Sequence, residues 1–296
     1  MSSKLAPIVL FTYNRPWHLQ QTVEALLQNP LAKDSLLYVF SDAAKNETSR
    51  PLVEQVRTYI HQIKGFKEVI IEEKVTNSGL ATSVIQGVTK VLEKHQKAIV
   101  LEDDMVSSKS FLNFMNEALD FYQDIDNIFC ITGWSPPIQI PDNYPQDVYV
   151  AKRASSWGWA TWLNQWQKAD WDVEDFAEFF NQPTQQKAFN KAGEDLTPML
   201  KKQQKGLISS WAIRWTYTLF KQSGYCLYPT SPKINNIGTD GSGSHSPNNR
   251  KADVQLSNNS YSFVSQIGED EQVLQEFRKF YKLSLVRKII NKVKLG

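Results

Sequence analysis

The sequence has few of the residues that build disulfide scaffolds and zinc sites. It contains two cysteines and four histidines among 296 residues, and Cys130 and Cys226 stand far apart in apolar surroundings. Neither a disulfide framework nor a metal-binding spacing is present, so we expect two buried free thiols in a reducing compartment. Residues 1–7 do not resemble a signal peptide, and no apolar run approaches the roughly 20 residues that cross a bilayer. We therefore expect a cytoplasmic protein.

A strong charge of either sign is also lacking. The 33 basic and 31 acidic residues leave a net charge of +2, so nothing in the overall charge favours nucleic acid as a partner. The hydrophobic fraction of 41% and the charged fraction of 22% are ordinary for a soluble globular protein. The length suits one large α/β domain or two small ones.

Strands and helices alternate through the first third of the chain. The pattern predicts strands at 7–13, 36–41, 68–72 and 97–106 and helices at 17–29, 51–63 and 80–93. Such alternation favours a mostly parallel sheet flanked by helices and joined by right-handed crossovers. Farther along, we predict helices at 110–122 and 211–220, an aromatic helix within 155–166, polar helical structure at 170–205, and strands at 128–132, 148–151 and 225–228.

Three consecutive acids stand at the carboxyl end of the fourth predicted strand. Glu102, Asp103 and Asp104 follow the apolar run 98–101. Adjacent carboxylates repel one another and resist desolvation, so they persist at a sheet edge only with a cation or hydrogen-bond donors beside them. Ligands of open α/β sheets bind beyond the carboxyl ends of the strands. The acids therefore indicate a divalent-metal site; a solvated acidic turn is the alternative.

Tryptophan is concentrated in one part of the chain. Six of the nine tryptophans lie between residues 157 and 211. An indole ring packs well in a core, and it also offers a face to a sugar and an N–H as a polar contact. The candidates for a sugar-binding platform are Trp134, Trp157, Trp159 and Trp211, and core packing is the alternative for each.

Residues 236–250 are rich in glycine and serine and almost free of apolar side chains. A loop of this composition within a compact domain is often a functional lid. It contains His245, for which we expect a contact with a donor or a metal. We expect His18, His61 and His95 to lie on solvated faces of helices.

The C-terminal segment 266–296 combines basic and apolar residues at helical spacing. This pattern is typical of a helix that lies on an anionic membrane surface. A helix docked on the domain with a solvated basic face is the alternative.

Several motifs in order resemble the GT-A fold of nucleotide-sugar glycosyltransferases. They are Thr12-Tyr13-Asn14-Arg15-Pro16 after the first strand, Asp42 after the second, Asn77-Ser78-Gly79-Leu80, and Leu101-Glu102-Asp103-Asp104, where that fold carries an Asp-X-Asp motif. The match over residues 7–135 is to family 2-like enzymes. The acidic triplet is followed by Gly158-Trp159 with Trp162 and then by a glycine-rich loop from Gly238 to His245. With these motifs in this order, residues 97–247 look most similar to the inverting N-acetylglucosaminyltransferase that opens complex N-glycan branching.

The resemblance implies roles for individual residues. Asp104 would be the direct ligand of Mn²⁺ or Mg²⁺, while Asp103 and Glu102 would accept hydrogen bonds from ribose or donor-sugar hydroxyls. Asp42 would contact the base or ribose. The remaining donor-binding candidates are Thr12, Tyr13, Arg15, Asn77, Gly79, Ser244 and His245, with His245 also a candidate metal ligand. Turn formation is the alternative for Arg15, Asn77 and Gly79.

One position departs from the resemblance. An inverting transfer needs a general base, and the family implies an aspartate immediately before the tryptophan placed here at Trp211. The chain has Ser209-Ser210 there instead, and serine is not a base at its ordinary pKa. Asp240, Asp170 and Asp172 are the candidate bases.

These features predict a nucleotide-sugar-binding half at 1–135, an acceptor-binding half at 136–265 with a lid at 236–250, and a basic tail at 266–296. We expect an inverting, metal-dependent hexosyl- or N-acetylhexosaminyltransferase, with UDP-sugars as first choice of donor. The acceptor would be a hydroxyl of a glycan or lipid-linked glycan in bacterial surface polysaccharide synthesis, at the inner face of the cell membrane. A catalytically silent, lectin-like protein of the same fold is the main alternative. A nucleotidyltransferase is disfavoured because the loop at 13–16 lacks the glycines such enzymes carry.

Overall fold

The computed structural model describes residues 4–241 and 250–295, which form ten strands and eleven α-helices. The strands are β1 (Ile8–Thr12), β2 (Leu36–Ser41), β3 (Glu68–Glu73), β4 (Lys97–Glu102), β5 (Met105–Ser107), β6 (Ile128–Thr132), β7 (Val148–Ala151), β8 (Trp159–Trp162), β9 (Tyr225–Pro229) and β10 (Ile234–Asn236). The helices are α1 (Pro16–Leu27), α2 (Arg50–Ile60), α3 (Leu80–His95), α4 (Phe111–Tyr122), α5 (Leu163–Trp166), α6 (Phe176–Phe180), α7 (Pro183–Phe189), α8 (Leu196–Gln204), α9 (Trp211–Lys221), α10 (Glu271–Phe280) and α11 (Leu285–Leu295).

Eight strands form one central sheet in the order β3-β2-β1-β4-β8-β6-β9-β7. Four of the seven pairings are parallel and three are antiparallel. All five residues of β1 are buried, as expected for a parallel strand covered by helices on both faces. The α/β architecture with a mostly parallel sheet and a helical C-terminus is confirmed. Both predicted halves of the chain contribute strands to this sheet, and the division into halves stays a prediction.

The helices cover the sheet because each has one apolar face. In α3, for example, Val84, Val88, Val91 and Leu92 are buried, at the spacing that places side chains on one side of a helix. Helices α1 and α2 begin with a proline in the first turn, where the missing N–H costs nothing.

The segment predicted as an aromatic helix at 155–166 is a helix only in its last four residues, and the prediction was wrong for the four residues before them. Residues Trp159–Trp162 form β8, which pairs with β4 on one side and β6 on the other. All four residues are buried, and only Leu163–Trp166 is helical. A four-residue apolar run carries no period that separates a buried strand from a helix, so the sheet pairing decides the conformation here.

The C-terminal tail contains two helices. In α10, Val273, Leu274 and Phe277 are buried, whereas α11 buries only Asn291 and Leu295. No helix within residues 4–241 and 250–295 is long and apolar enough to span a bilayer. Of the predicted lid, residues 242–249 lie outside the described residues, so closure over a ligand stays a prediction.

Candidate active site

The acidic run lies where the carboxyl ends of two neighbouring parallel strands meet. In the register of β1 with β4, Phe11 is paired with Glu102, so Thr12 and Glu102 end adjacent strands. Asp103 and Asp104 form the turn between β4 and β5. The predicted nucleotide-contacting residues after β1 and the predicted acids after β4 are thus brought together, as the rule for open sheets requires.

Asp103 is fixed by residues that follow β1 and by a threonine of α1. Its Oδ2 accepts hydrogen bonds from the Tyr13 N–H at 3.2 Å and the Thr12 hydroxyl at 3.5 Å. The fully buried Thr22 hydroxyl donates to the carbonyl of Asp103 at 2.9 Å and accepts from the N–H of Met105 at 3.0 Å. Thr22 therefore pins both sides of the acidic turn, a role that helical spacing alone does not reveal.

Asp104 is held between a cation and the segment after β10. Nη1 of Arg15 donates to its Oδ2 at 2.6 Å, and Nδ2 of Asn236 donates to its Oδ1 at 3.3 Å. The N–H of Ile237 donates to its carbonyl at 2.9 Å. Gly238 packs directly on this carboxylate: a Cβ there would collide with Asp104 Oδ2 and lie 2.6 Å from Nη1 of Arg15. Only glycine can lie this close to the ion pair of Asp104 and Arg15 without displacing it.

Asp240 joins the same cluster through Arg15 and His18. Its Oδ1 lies 3.5 Å from Nη2 of Arg15 and its Oδ2 lies 3.1 Å from Nε2 of His18. The expectation that His18 lies on a solvated face was wrong, because His18 is only 8% exposed. The spacing could have indicated this: His18 follows Arg15 by three residues in the first turn of α1, so both side chains point to the same side.

Burial dominates the electrostatics of the three acids. Desolvation, followed by repulsion from Asp104 and Asp103, raises the pKa of Glu102 to about 8. Desolvation also raises the pKa of Asp103 to about 7 and raises that of Asp104, with the Arg15 guanidinium opposing both shifts. For His18, burial and the nearby Arg15 lower the pKa. A cation entering this cluster would favour the charged forms of the acids and so oppose the effect of burial on their pKa values.

Asp42 contacts the turn that contains Asn77 and Gly79. Its carboxylate accepts from the N–H groups of Ala43 at 2.9 Å, Ser78 at 3.0 Å and Gly79 at 2.9 Å, and Nδ2 of Asn77 donates to the carbonyl of Ala43 at 2.7 Å. Gly79 precedes α3 with φ 74 and ψ 159, a region occupied essentially by glycine alone. The three candidates lie together. These bonds take most of the accepting capacity of Asp42 and favour the turn-forming alternative for Asn77 and Gly79.

The candidate sugar platform is largely buried. Trp134, Trp159 and Trp211 are at most 3% exposed. Trp159 stacks on Trp211 with ring centroids 4.8 Å apart. This placement favours the core alternative for these three. Trp157 is half-buried and packs edge-on against Trp134.

An aromatic side chain that sequence reasoning did not select lies beside the acidic cluster. Trp17, in the first turn of α1, is 58% exposed and packs edge-on against His18 at a centroid distance of 4.8 Å. Its position in the sequence, between Arg15 and His18, could have indicated that it lies beside the cluster.

The serines that replace the expected aspartate have a structural explanation in part. Ser210 is the N-cap of α9, and its hydroxyl accepts from the N–H of Ile213 at 3.4 Å. Serine is among the best N-cap residues. Of the alternative bases, Asp170 accepts from the backbone N–H groups of residues 172–174, which favours a turn-forming role, whereas Asp240 lies in the cluster. Ser244 and His245 lie outside the described residues.

Within the described part of the chain, no group of three or more His, Cys, Asp or Glu side chains is placed to hold a metal ion by itself. The carboxylate oxygens of Asp104, which face the Arg15 guanidinium, still fit Mg²⁺ or Mn²⁺. Mg²⁺ is typically bound by one or two carboxylates together with phosphate oxygens and water, not by an all-protein cage. The residues therefore suit a metal that arrives with a diphosphate.

Neither a family model nor a curated protein matches the chain. Among solved structures it is similar to a mannosyltransferase from Pyrobaculum calidifontis in complex with GDP-Man and Mn²⁺, with 11% identity, 53% of this chain and 44% of that chain covered, and a TM-score of 0.36. It is also similar to residues 1–349 of S. aureus TarS (10% identity, 77% and 59% covered, TM-score 0.39). A third is mouse xyloside xylosyltransferase 1 in its apo form (10% identity, 74% and 82% covered, TM-score 0.38). The chain thus spans under half of the mannosyltransferase structure.

Proposed function

We propose that this protein transfers a sugar from a nucleoside diphosphate sugar to a hydroxyl of a glycan acceptor, with inversion at the anomeric carbon. The observation that carries the proposal is the convergence of Asp104 and Asp240 on Arg15 at the carboxyl ends of β1 and β4. This is the position where an open α/β sheet binds a nucleotide. The ordered motifs that resemble the GT-A fold support the same conclusion.

The donor would lie over the ends of β1 and β4. Thr12, Tyr13 and Arg15 lie at this edge of the sheet, and the Arg15 guanidinium would bind a phosphate once it is released from Asp104. Glu102 and Asp103 would accept hydrogen bonds from sugar hydroxyls. Ser244 and His245 remain candidate contacts of the diphosphate. UDP-sugars are the first choice of donor, and the hexosyl or N-acetylhexosaminyl group is part of the proposal.

Asp104 would hold Mn²⁺ or Mg²⁺, with Asp240 next to it and His245 a further candidate ligand. A bound divalent ion stabilises the negative charge that the nucleoside diphosphate acquires as it leaves. The backbone of Gly238 lies against Asp104 and would help to keep water from the diphosphate.

Asp240 is the favoured base for the acceptor hydroxyl. Its side chain is 44% exposed, so it is accessible to an acceptor, and His18 orients it from 3.1 Å. A carboxylate within hydrogen-bond reach of the attacking hydroxyl serves as a general base. Asp172 remains the second candidate, and Asp170 the third because of its turn-forming bonds.

The acceptor would bind on the open side of the cluster. Trp17 offers an exposed indole beside His18, which in turn contacts Asp240. The half-buried Trp157 remains a second candidate. Stacking of a sugar ring on indole, with the indole N–H as a polar contact, suits either. We propose a glycan or lipid-linked glycan as acceptor, in bacterial surface polysaccharide synthesis, with α11 in contact with the anionic inner face of the membrane.

A panel of nucleotide sugars tests the proposal. Hydrolysis or transfer of at least one donor is expected in the presence of Mn²⁺ and not with EDTA, and Asp240→Asn should lose transfer while still binding the donor. Turnover by Asp104→Ala at the native rate would refute the metal role. Stabilisation by free glycans alone, without any nucleotide effect, would support the lectin-like alternative.

A further inference from the structure

Asn236 ends strand β10 beside the acidic turn. Strand β10 is antiparallel to β5, and in their register Asn236 is paired with Met105, the residue that follows Asp104. The side chain of Asn236 is enclosed by the protein, since the residue is only 3% exposed. The pairing of the two strands therefore brings a residue from far along the chain against the carboxylate that is proposed to hold the metal.

The two ends of the Asn236 amide contact different parts of the site. Its Nδ2 donates to Oδ1 of Asp104 at 3.3 Å, and the same nitrogen lies 4.0 Å from Sδ of Met105. Its Oδ1 accepts from the N–H of Gly238 at 2.7 Å. Because a carboxylate needs a donor and an N–H needs an acceptor, these partners fix the orientation of the amide. One side chain thus joins the Asp104 carboxylate to the backbone two residues farther along.

The bond to Gly238 sets the direction in which the chain leaves β10. An asparagine that accepts from the N–H two residues farther along forms an Asx turn. The N–H of Ile237, within this turn, donates to the carbonyl of Asp104 at 2.9 Å. Asp240 stands two residues after Gly238. The conformation at Asn236 therefore influences where the proposed base lies relative to the proposed metal ligand.

The amide of Asn236 is suited to stay in place when a cation binds. Arg15 contacts Oδ2 of Asp104 at 2.6 Å, whereas Asn236 contacts Oδ1. A divalent ion would repel the guanidinium, because both are cations, but it would not repel a neutral amide on the other oxygen. Hydrogen bonds of this kind orient a ligating carboxylate, and their loss typically costs about 10- to 100-fold in metal affinity or activity.

We propose that Asn236 is a positioning residue that aligns Asp104 for the metal and, through Gly238, places Asp240 at the same centre. It acts through these neighbours, and no contact with the donor or the acceptor is assigned to it. The inference rests on the metal-dependent sugar transfer proposed above, since it concerns the same two carboxylates.

Two substitutions at this position separate the two contacts. Asn236→Ser keeps an oxygen that can accept from the N–H of Gly238, but its hydroxyl is one bond closer to the backbone than the amide nitrogen and loses the contact with Asp104. Asn236→Leu has nearly the shape of asparagine and removes both contacts. Asn235→Ser is the matched control, because the Asn235 side chain accepts from the N–H of Val254 at 3.2 Å, outside the acidic cluster.

Calorimetric binding of UDP, over a range of Mn²⁺ concentrations and in EDTA, tests the contact with Asp104. Asn236→Ser and Asn236→Leu should need at least about tenfold more Mn²⁺ than the wild type for half-maximal binding, with binding in EDTA unchanged. The control should match the wild type. A merely structural role would weaken binding in EDTA to the same extent. That result, or an unchanged Mn²⁺ requirement, would overturn the proposal.

Turnover at saturating Mn²⁺ and donor tests the bond to Gly238. Asn236→Ser should regain most of the wild-type kcat, whereas Asn236→Leu should stay at least about tenfold lower, because the turn that places Asp240 is lost. Equal kcat values for the two variants would refute this second role. If Mn²⁺ has no effect on UDP binding by the wild type, the proposed metal-dependent transfer fails. If the wild type and Asn236→Ser depend on Mn²⁺ alike, only the role of Asn236 fails.

Discussion

Nη1 of Arg15 lies 2.6 Å from Oδ2 of Asp104, and both side chains are largely buried. The guanidinium thus stands where a divalent cation bound by Asp104 would be, and it neutralises one of three adjacent acids. Arg15 precedes α1 and Asp104 follows β4, so the contact exists because β1 and β4 are neighbours in the sheet. In the proposed function, Arg15 would bind the donor diphosphate and Asp104 would hold the metal.

Arg15→Gln should destabilise the metal-free protein by about 3 kcal/mol, because it leaves a buried carboxylate without its cation. Mn²⁺ alone should then raise the melting temperature of the variant more than that of the wild type, since the guanidinium no longer competes for Asp104. Thermal unfolding with and without Mn²⁺ measures both effects. Arg50→Gln, which removes an exposed pair with Glu47, is the control and should change little. Equal Mn²⁺ responses in wild type and Arg15→Gln would contradict this account.

Gly238→Ala should displace Asp104 or Arg15, because the added Cβ would overlap the Asp104 carboxylate. A shift of about 1 Å in a catalytic group costs on the order of 100-fold in rate. Transfer from the best donor of the panel is the measurement. Gly268→Ala is the matched control, since a Cβ there meets nothing within 4 Å. Sugar transfer by Gly238→Ala at the native rate would show that the close contact of Gly238 with Asp104 is not needed for activity.

Thr22→Val should destabilise the protein by about 2 kcal/mol, because it leaves the Asp103 carbonyl and the Met105 N–H buried without partners. Thr22→Ser keeps the hydroxyl and should retain most of the stability. Urea unfolding of the three proteins measures the difference. Weaker UDP binding by Thr22→Val than by Thr22→Ser would further show that Thr22 positions the acidic turn. If Thr22→Val and Thr22→Ser have the same free energy of unfolding, the hydroxyl does not hold this turn.

The metal-free protein should lose stability as the pH rises from about 4.5 to 8. Desolvation raises the pKa of Glu102 to about 8, so the folded state binds this proton more tightly than the unfolded chain, whose glutamate has its ordinary pKa near 4.5. The stabilisation is complete below the unfolded pKa and is lost as the pH passes through the folded one. Urea unfolding in EDTA at several pH values measures the free energy of unfolding. It should decline less steeply with rising pH in Glu102→Gln than in the wild type. Identical slopes would disprove the raised pKa.

Much of the fold follows from local pattern. Strands β2, β6 and β7 have the predicted bounds, because buried apolar runs between polar residues are clear signals. The edge that carries the acids was predictable for the same reason: Glu102 ends a buried strand, and Asp103 and Asp104 follow it directly. Strand β8 was not predictable, since Trp159–Trp162 depends on pairing with two strands distant in the sequence.

The contacts within the site were harder to predict from the sequence. The pairing of Arg15 with Asp104 and of His18 with Asp240 depends on which strands become neighbours and on where the segment after β10 lies. The orientation of α11 shows the same limit. Helical periodicity groups its apolar residues on one face, but only the packing of Asn291 and Leu295 shows that this face is turned outward.

The most direct test is calorimetric binding of UDP in the presence and absence of Mn²⁺, with wild type, Asp104→Asn and the exposed-site control Asp124→Asn. The account predicts that wild type and Asp124→Asn bind UDP at least about tenfold more tightly with Mn²⁺, and that Asp104→Asn, although folded, loses this dependence. Mn²⁺-dependent UDP binding by Asp104→Asn that equals the wild type would contradict the central claim that this carboxylate holds the cation against the diphosphate.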